Sequence, residues 1–187
     1  MGIFAFLLMG ATLTANAAIL TFDDHPDVAS NSTGDILNYG GFDFSQNLDW
    51  IDAVGGWDRG SISGNFTMVN NNGGVGVITE QGSNDFTFDG LFARTWATTG
   101  NRTGYIRGFF EGSEIWTSTI NITKTWTEFL VVGGAIDELR LDMGNYFLVD
   151  DLALTPAPVP LPPAVILFIS ALFPLFGFAK KRAAGKL

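Results

Sequence analysis

Between positions 18 and 155 the apolar residues recur at every second position or gather in short runs rich in β-branched and aromatic side chains. Nine such runs stand out, at 19–22, 66–69, 75–78, 86–88, 105–110, 115–122, 127–132, 136–141 and 146–154. Period two is the signature of half-buried strands, and no window of a dozen residues keeps a helical stripe. Glycine and asparagine clusters such as Asn70–Gly74, Thr99–Asn101 and Gly133-Gly134 fall between the runs, where tight turns need a backbone free to adopt positive φ. The pattern predicts an all-β, jelly-roll-like sandwich of about nine strands over residues 18–155.

The two ends break this pattern. Residues 1–17 form an oily stretch closing on Ala15-Asn16-Ala17, the small-x-small sequence read by signal peptidase, with Ala18 as the first mature residue. At the other end a proline-rich linker over 156–162 leads to the 17 uncharged residues 163–179, followed by Lys180, Lys181 and Arg182 in a basic tail over 180–187. As a helix those 17 residues span about 25 Å, the short limit for a transmembrane helix. Basic residues beyond the span hold that end in the cytoplasm and place the domain outside. The expected precursor is therefore anchored in a membrane, with its β domain outside the cytoplasm.

Composition narrows the chemistry. Without cysteine there is no disulfide, thiol catalysis or thiolate metal site. His25 is the only histidine, which excludes a multi-histidine zinc site and leaves one possible base for a Ser-His-Asp triad; beside Pro26 it reads as a loop residue. All nineteen acids lie in 18–157, against six of the ten basic residues. Such a surface repels phosphate backbones, so nucleic acid is not an expected partner, whereas neutral sugars and divalent cations are.

Two groups of residues suggest binding. Asp23-Asp24 follows the first run and Asp150-Asp151 lies within the last. If the first and last strands pair, as they commonly do in a jelly roll, these four carboxylates converge as a possible Ca²⁺ site; otherwise they bond backbone at strand ends. The stretch 49–60 carries Trp50 and Trp57, each either a core residue or a platform for a sugar ring, with Asp52, Asp58 and Arg59 to bond the sugar's hydroxyls. Trp96, Trp116 and Trp126 lie in strand-like runs and read as core residues.

The C-terminal segment has a family resemblance. Val159, Pro160, Leu161 and Pro162, then an apolar span, then Lys180, Lys181 and Arg182 resemble the PEP-CTERM sorting signal of Gram-negative bacteria in its VPLPA variant, with Leu161 where the commoner form has Glu. The resemblance implies handling by an exosortase-type membrane enzyme, loss of the tail, and a place at the cell surface or in an exopolysaccharide matrix. The mature part resembles the jelly-roll domains often found ahead of such tails, through Thr21–Asp24, the turn Tyr39-Gly40-Gly41-Phe42, Phe86–Gly90 and the closing Phe147–Leu152. The expected role is structural or adhesive and not enzymatic. The alternative is a specific carbohydrate-binding module and, behind it, a secreted glycoside hydrolase.

Overall fold

A computed structural model describes residues 17–130 and 133–158, and every regular element among them is a strand. The oily N-terminal segment up to Asn16, the sorting motif at 159–162, the apolar span at 163–179 and the basic tail lie outside the described residues. Ala17 is exposed, and Ala18 is the first residue of the first strand.

Among the described residues thirteen strands form two antiparallel sheets. The first sheet holds β1 (Ala18–Leu20), β2 (Thr33–Asp35), β5 (Leu48–Asp52), β6 (Phe66–Asn70), β8 (Phe86–Thr95), β11 (Thr127–Phe129) and β13 (Phe147–Pro156), in the order β11-β8-β13-β6-β5-β2. The second holds β3 (Asn38–Tyr39), β4 (Phe42–Phe44), β7 (Gly76–Glu80), β9 (Asn101–Phe110), β10 (Ser113–Thr123) and β12 (Glu138–Asp142), in the order β10-β9-β12-β7-β4-β3. The chain passes repeatedly from one sheet to the other, as in a jelly roll. Each of the nine predicted runs overlaps a strand, and four more, β2 to β5, lie between 33 and 52. They are two to five residues long, too short to give a periodic signal.

The first and last strands do pair. Ala18 to Leu20 lie opposite Leu154 to Leu152, on the edge of β13 that β6 occupies at Leu148 and Val149. β8 runs along the other edge. The strand extends to Pro156, one residue past the predicted domain end, and Ala157 N–H still donates to Asp85 O at 2.7 Å.

The side chains between the sheets form one apolar core, with Phe22, Phe42, Phe86, Phe88 and Phe147 fully buried. Burying each such side chain stabilises the fold by roughly 1.5–3 kcal/mol. Packing is close: a Cβ at Gly108 would stand 2.2 Å from the Trp116 indole, so the sheet accepts that ring only over a glycine. Trp116 in turn stacks on Phe88 at 6.1 Å between centroids. His25 is also buried, its Nε2–H donating to Ile36 O at 3.1 Å while Nδ1 accepts from Asp27 N–H at 3.3 Å. Both ring nitrogens serve the fold, which leaves neither free to act as a base.

Candidate functional site

A strand with one wet face alternates buried and exposed residues, as β10 does, but all five residues of β5 are buried. Leu48 and Trp50 point into the core, while Ile51 belongs to a second apolar cluster with Ala53, Val69 and Leu148. This cluster lies on the outer face of the first sheet, and Trp57, Trp96 and Trp126 pack against it.

The segment 53–65 covers part of this face and is pinned by carboxylates. Asp150 Oδ2 accepts from Ile62 N–H at 2.6 Å and Ser63 N–H at 3.1 Å, and Asp151 Oδ1 accepts from Ser63 Oγ–H at 2.6 Å. Asp23 Oδ1 accepts from Asn65 N–H at 2.7 Å and Phe66 N–H at 3.1 Å. Gly64 is obligatory here: its φ is +46° and a Cβ would fall 2.0 Å from Asp23 Oδ1. Asp150 is fully buried, and burial pushes its carboxyl up to about 7 against the N–H groups that favour the anion.

Asp23, Asp150 and Asp151 thus gather around one short segment, as the pairing of first and last strands requires, but as braces for backbone and hydroxyl groups. Asp24 accepts instead from the Tyr39 hydroxyl. Among the described residues no group of three or more His, Asp or Glu side chains is arranged to hold a metal ion.

A register irregularity explains how the two adjacent aspartates both reach the segment. Asp150 pairs with Phe92 and Ala153 with Gly90, so β13 carries one extra residue, and Asp151 adopts φ +46°. Core residues are odd-numbered before this bulge, at Phe147 and Val149, and even-numbered after it, at Leu152 and Leu154. A compensating shift at Asp89-Gly90 does the same to β8: Phe86 and Phe88 face the core, then Leu91 and Ala93. Arg94 and Trp96 are thereby turned outward.

Between the covering segment and the strand ends lies an open groove of about 220 Å³, lined by Trp57, Trp96, Tyr146, Thr33 and Asn71 over a floor of Ile51 and Val69. Trp96 and Tyr146 are fixed side by side, since Trp96 N–H donates to Tyr146 O at 2.8 Å and Tyr146 N–H to Asn70 O at 3.0 Å. Tyr146 is half exposed and held at φ +57°, a conformation that costs a bulky residue energy and recurs at functional sites. Asn71 is oriented by donating Nδ2–H to Asp49 Oδ2 at 2.8 Å. Burial raises the Asp49 carboxyl, and the Asn71 bond opposes that rise.

Beside the groove, the Arg59 guanidinium lies over the Trp96 ring at 4.6 Å and that of Arg94 over Trp126 at 5.9 Å. Arg94 donates Nη1–H to Arg59 O, which anchors the covering segment to β8. Burial, then the charge of Arg59, pulls the Arg94 guanidinium below its usual value.

Trp50 is a correction to the sequence reading. It is 4% exposed, packed on Phe66 at 6.0 Å and His25 at 6.4 Å between centroids, so it serves the core and offers no platform. Asp52 is a second correction. Burial alone would raise its carboxyl, yet backbone N–H groups, including Asn31 and Gly55 at 2.7 Å each, hold it below the ordinary carboxylate value. It is a turn brace. Trp57 does line the groove, Arg59 abuts the Trp96 wall, and Asp58 is exposed in the turn between them at φ +51°. Trp96 and Trp126, read as core from sequence, sit on the outer face, while Tyr146, Thr33 and Asn71 carried no sequence signal as site residues.

No protein-family model and no curated protein matches the chain. Among solved structures it is similar to a family 61 carbohydrate-binding module in complex with β-1,4-galactotriose, with 10% identity over 63% of this chain and 90% of that one and a TM-score of 0.38. It is also similar to a family 22 xylan-binding domain from Paenibacillus barcinonensis, with 9% identity, 70% and 96% coverage and a TM-score of 0.38. A third is the family 11 carbohydrate-binding module of a cellulosomal cellulase of Clostridium thermocellum, with 12% identity, 78% and 97% coverage and a TM-score of 0.35. Likenesses at this level carry no ligand across.

Proposed function

We propose that this chain is an exported carbohydrate-binding domain whose site is the groove on the outer face of the first sheet. The observation that carries the reading is the convergence of Trp57, Trp96 and Tyr146 around one open groove. Aromatic rings stack on the apolar faces of sugars, and Thr33 and Asn71 supply the hydroxyl and amide partners that orient sugar hydroxyls. The rings are placed in advance by backbone bonds and by the pinned segment, so little ordering cost remains for binding.

The processing segments complete the reading. A leader ending at Ala17 and a tail resembling the VPLPA-type PEP-CTERM signal would deliver the domain to the cell surface, where holding polysaccharide is an adhesive or matrix role. Mass spectrometry of the protein from its host tests this part through its mature ends: a start at Ala18 and loss of the segment after residue 162 are expected, and intact ends would remove the sorting claim.

The binding claim is tested by tryptophan fluorescence titration against a panel of neutral oligosaccharides. A saturable change for at least one sugar, weakened tenfold or more by Trp57→Ala or Trp96→Ala, is expected. A panel without binders, or binding indifferent to both substitutions, would remove it.

A further inference from the structure

The arginines of this domain are not used alike. Arg107 lies within 3.8 Å of Glu114 and 3.2 Å of Asp142, Arg140 pairs with Glu138, and Arg102 donates to the carbonyls of Met143 and Asn145. Arg59 and Arg94 have no carboxylate partner among the described residues, although the chain carries nineteen acids. They lie close together on the outer face of the first sheet, both partly buried, and Arg59 Nε is buried without any hydrogen-bond partner. Two neighbouring cations half removed from water with no counter-charge are costly, and a bound anion would relieve both the repulsion and the lost hydration.

The geometry also says where that anion would sit. Trp96 is shared: it is a wall of the groove, and the Arg59 guanidinium stacks over its ring. Arg59 does not itself line the groove but lies on this shared ring, so a sugar extending past Trp96 would meet its guanidinium, held flat by the indole, with Nη–H groups to offer a carboxylate. Arg94, joined to the Arg59 carbonyl and lying over Trp126, fixes the position of Arg59 and adds a second charge.

We propose that the groove selects sugars that carry a carboxylate, with uronic-acid residues as the ligand class and Arg59 and Arg94 as the specificity-determining pair. This rests on the groove being the sugar site. The acidic remainder of the surface disfavours dense polyanions, so selection acts on one carboxylate at close range, within the roughly 8 Å over which charge is felt at physiological salt.

The test compares the full chain against trisaccharides of galacturonate, glucuronate and mannuronate, each as the free acid and as its methyl ester. The ester keeps the ring and removes the charge. At least one free acid is expected to bind tenfold or more tightly than its ester. Arg59→Gln should bring that ratio near one, by weakening the free acid far more than the ester, and Arg59→Lys should keep part of it. Trp57→Ala should weaken both forms together. Thermal melts of each variant confirm that it is folded, and Arg94→Gln, if folded, should lower the ratio as well. If no acid is preferred over its ester, or if the preference survives in Arg59→Gln, the proposal falls. Ester or neutral-sugar binding that remains sensitive to Trp57→Ala would then leave the groove standing. If neither acids, esters nor neutral sugars bind, both readings fall together.

Discussion

The outer faces of the two sheets are built from similar residues and used in opposite ways. On the second sheet Arg107 and Arg140 meet acids as well as aromatic rings, Arg107 with Glu114 and Asp142 and over Tyr105 at 4.9 Å, Arg140 with Glu138 and over Phe109 at 3.8 Å, while Arg102 is held by the carbonyls of Met143 and Asn145. The charges of Arg107 and Arg140 are answered there by acids, although Arg107 Nε makes no hydrogen bond. On the first sheet Asp150 and Asp23 are spent on backbone N–H groups of the covering segment and its end, Arg59 and Arg94 are left without acids among the described residues, and Trp57, Trp96 and Trp126 pack against an apolar floor. Charges that pair with one another close a surface, whereas charges and rings held apart by bracing leave it open to a ligand.

The largest expected effect separates core from groove. Trp50→Ala should lower stability by about 3–5 kcal/mol, the usual cost of emptying a buried aromatic site, read in chemical denaturation. Trp57→Ala should cost far less stability and remove most sugar affinity. Equal stability losses would show that the two tryptophans are not divided between core and groove.

The next effect concerns the brace. The Asp150 carboxyl is pushed up to about 7 in the fold from the ordinary 3.8, so the folded chain holds that proton more tightly than the unfolded one. The stability from this group is complete below about pH 4 and is lost as pH rises through 7, on the order of 1.4 kcal/mol per unit of displacement. Melting temperature followed between pH 4 and 7.5 should show this fall, and Asp150→Asn should flatten it. An unchanged slope in the variant would assign the dependence elsewhere.

Gly64→Ala sharpens the same point from the other side of the segment. A Cβ crowding the Asp23 carboxylate at positive φ should cost roughly 1–3 kcal/mol and loosen the groove wall, with sugar affinity falling alongside stability. The smallest effect belongs to the second face. Arg107→Ala removes exposed ion pairs and should change stability by no more than about 1 kcal/mol, with sugar titrations unmoved.

Much of the sandwich was legible from period two, because a side chain's face in a strand follows from its position in sequence. What failed was continuity of that period. The shifts at Asp150-Asp151 and Asp89-Gly90 exchange the inner and outer sets within β13 and β8, which is why Trp96 lies outside in the fold although a tryptophan in a strand-like run reads as core. Trp50 and Trp57 look equivalent as neighbours in one aromatic stretch. Strand parity sends the first into the core, and only the turn begun by Asp52 carries the second over the outer face. Tyr146 and Asn71 belong to different hairpins and meet only because β13 lies beside β6.

By itself the amino-acid order determined the alternating core, the turn positions, the excess of acid and the separation of the middle from two oily ends, all properties carried by near neighbours along the chain. Which tryptophan faces water, which carboxylates act as braces and the placing of Arg59 beside Arg94 away from any acid were decided only in three dimensions. Each depends on strand register and on contacts such as Ile62 with Asp150, 88 residues apart, and no local pattern encodes them.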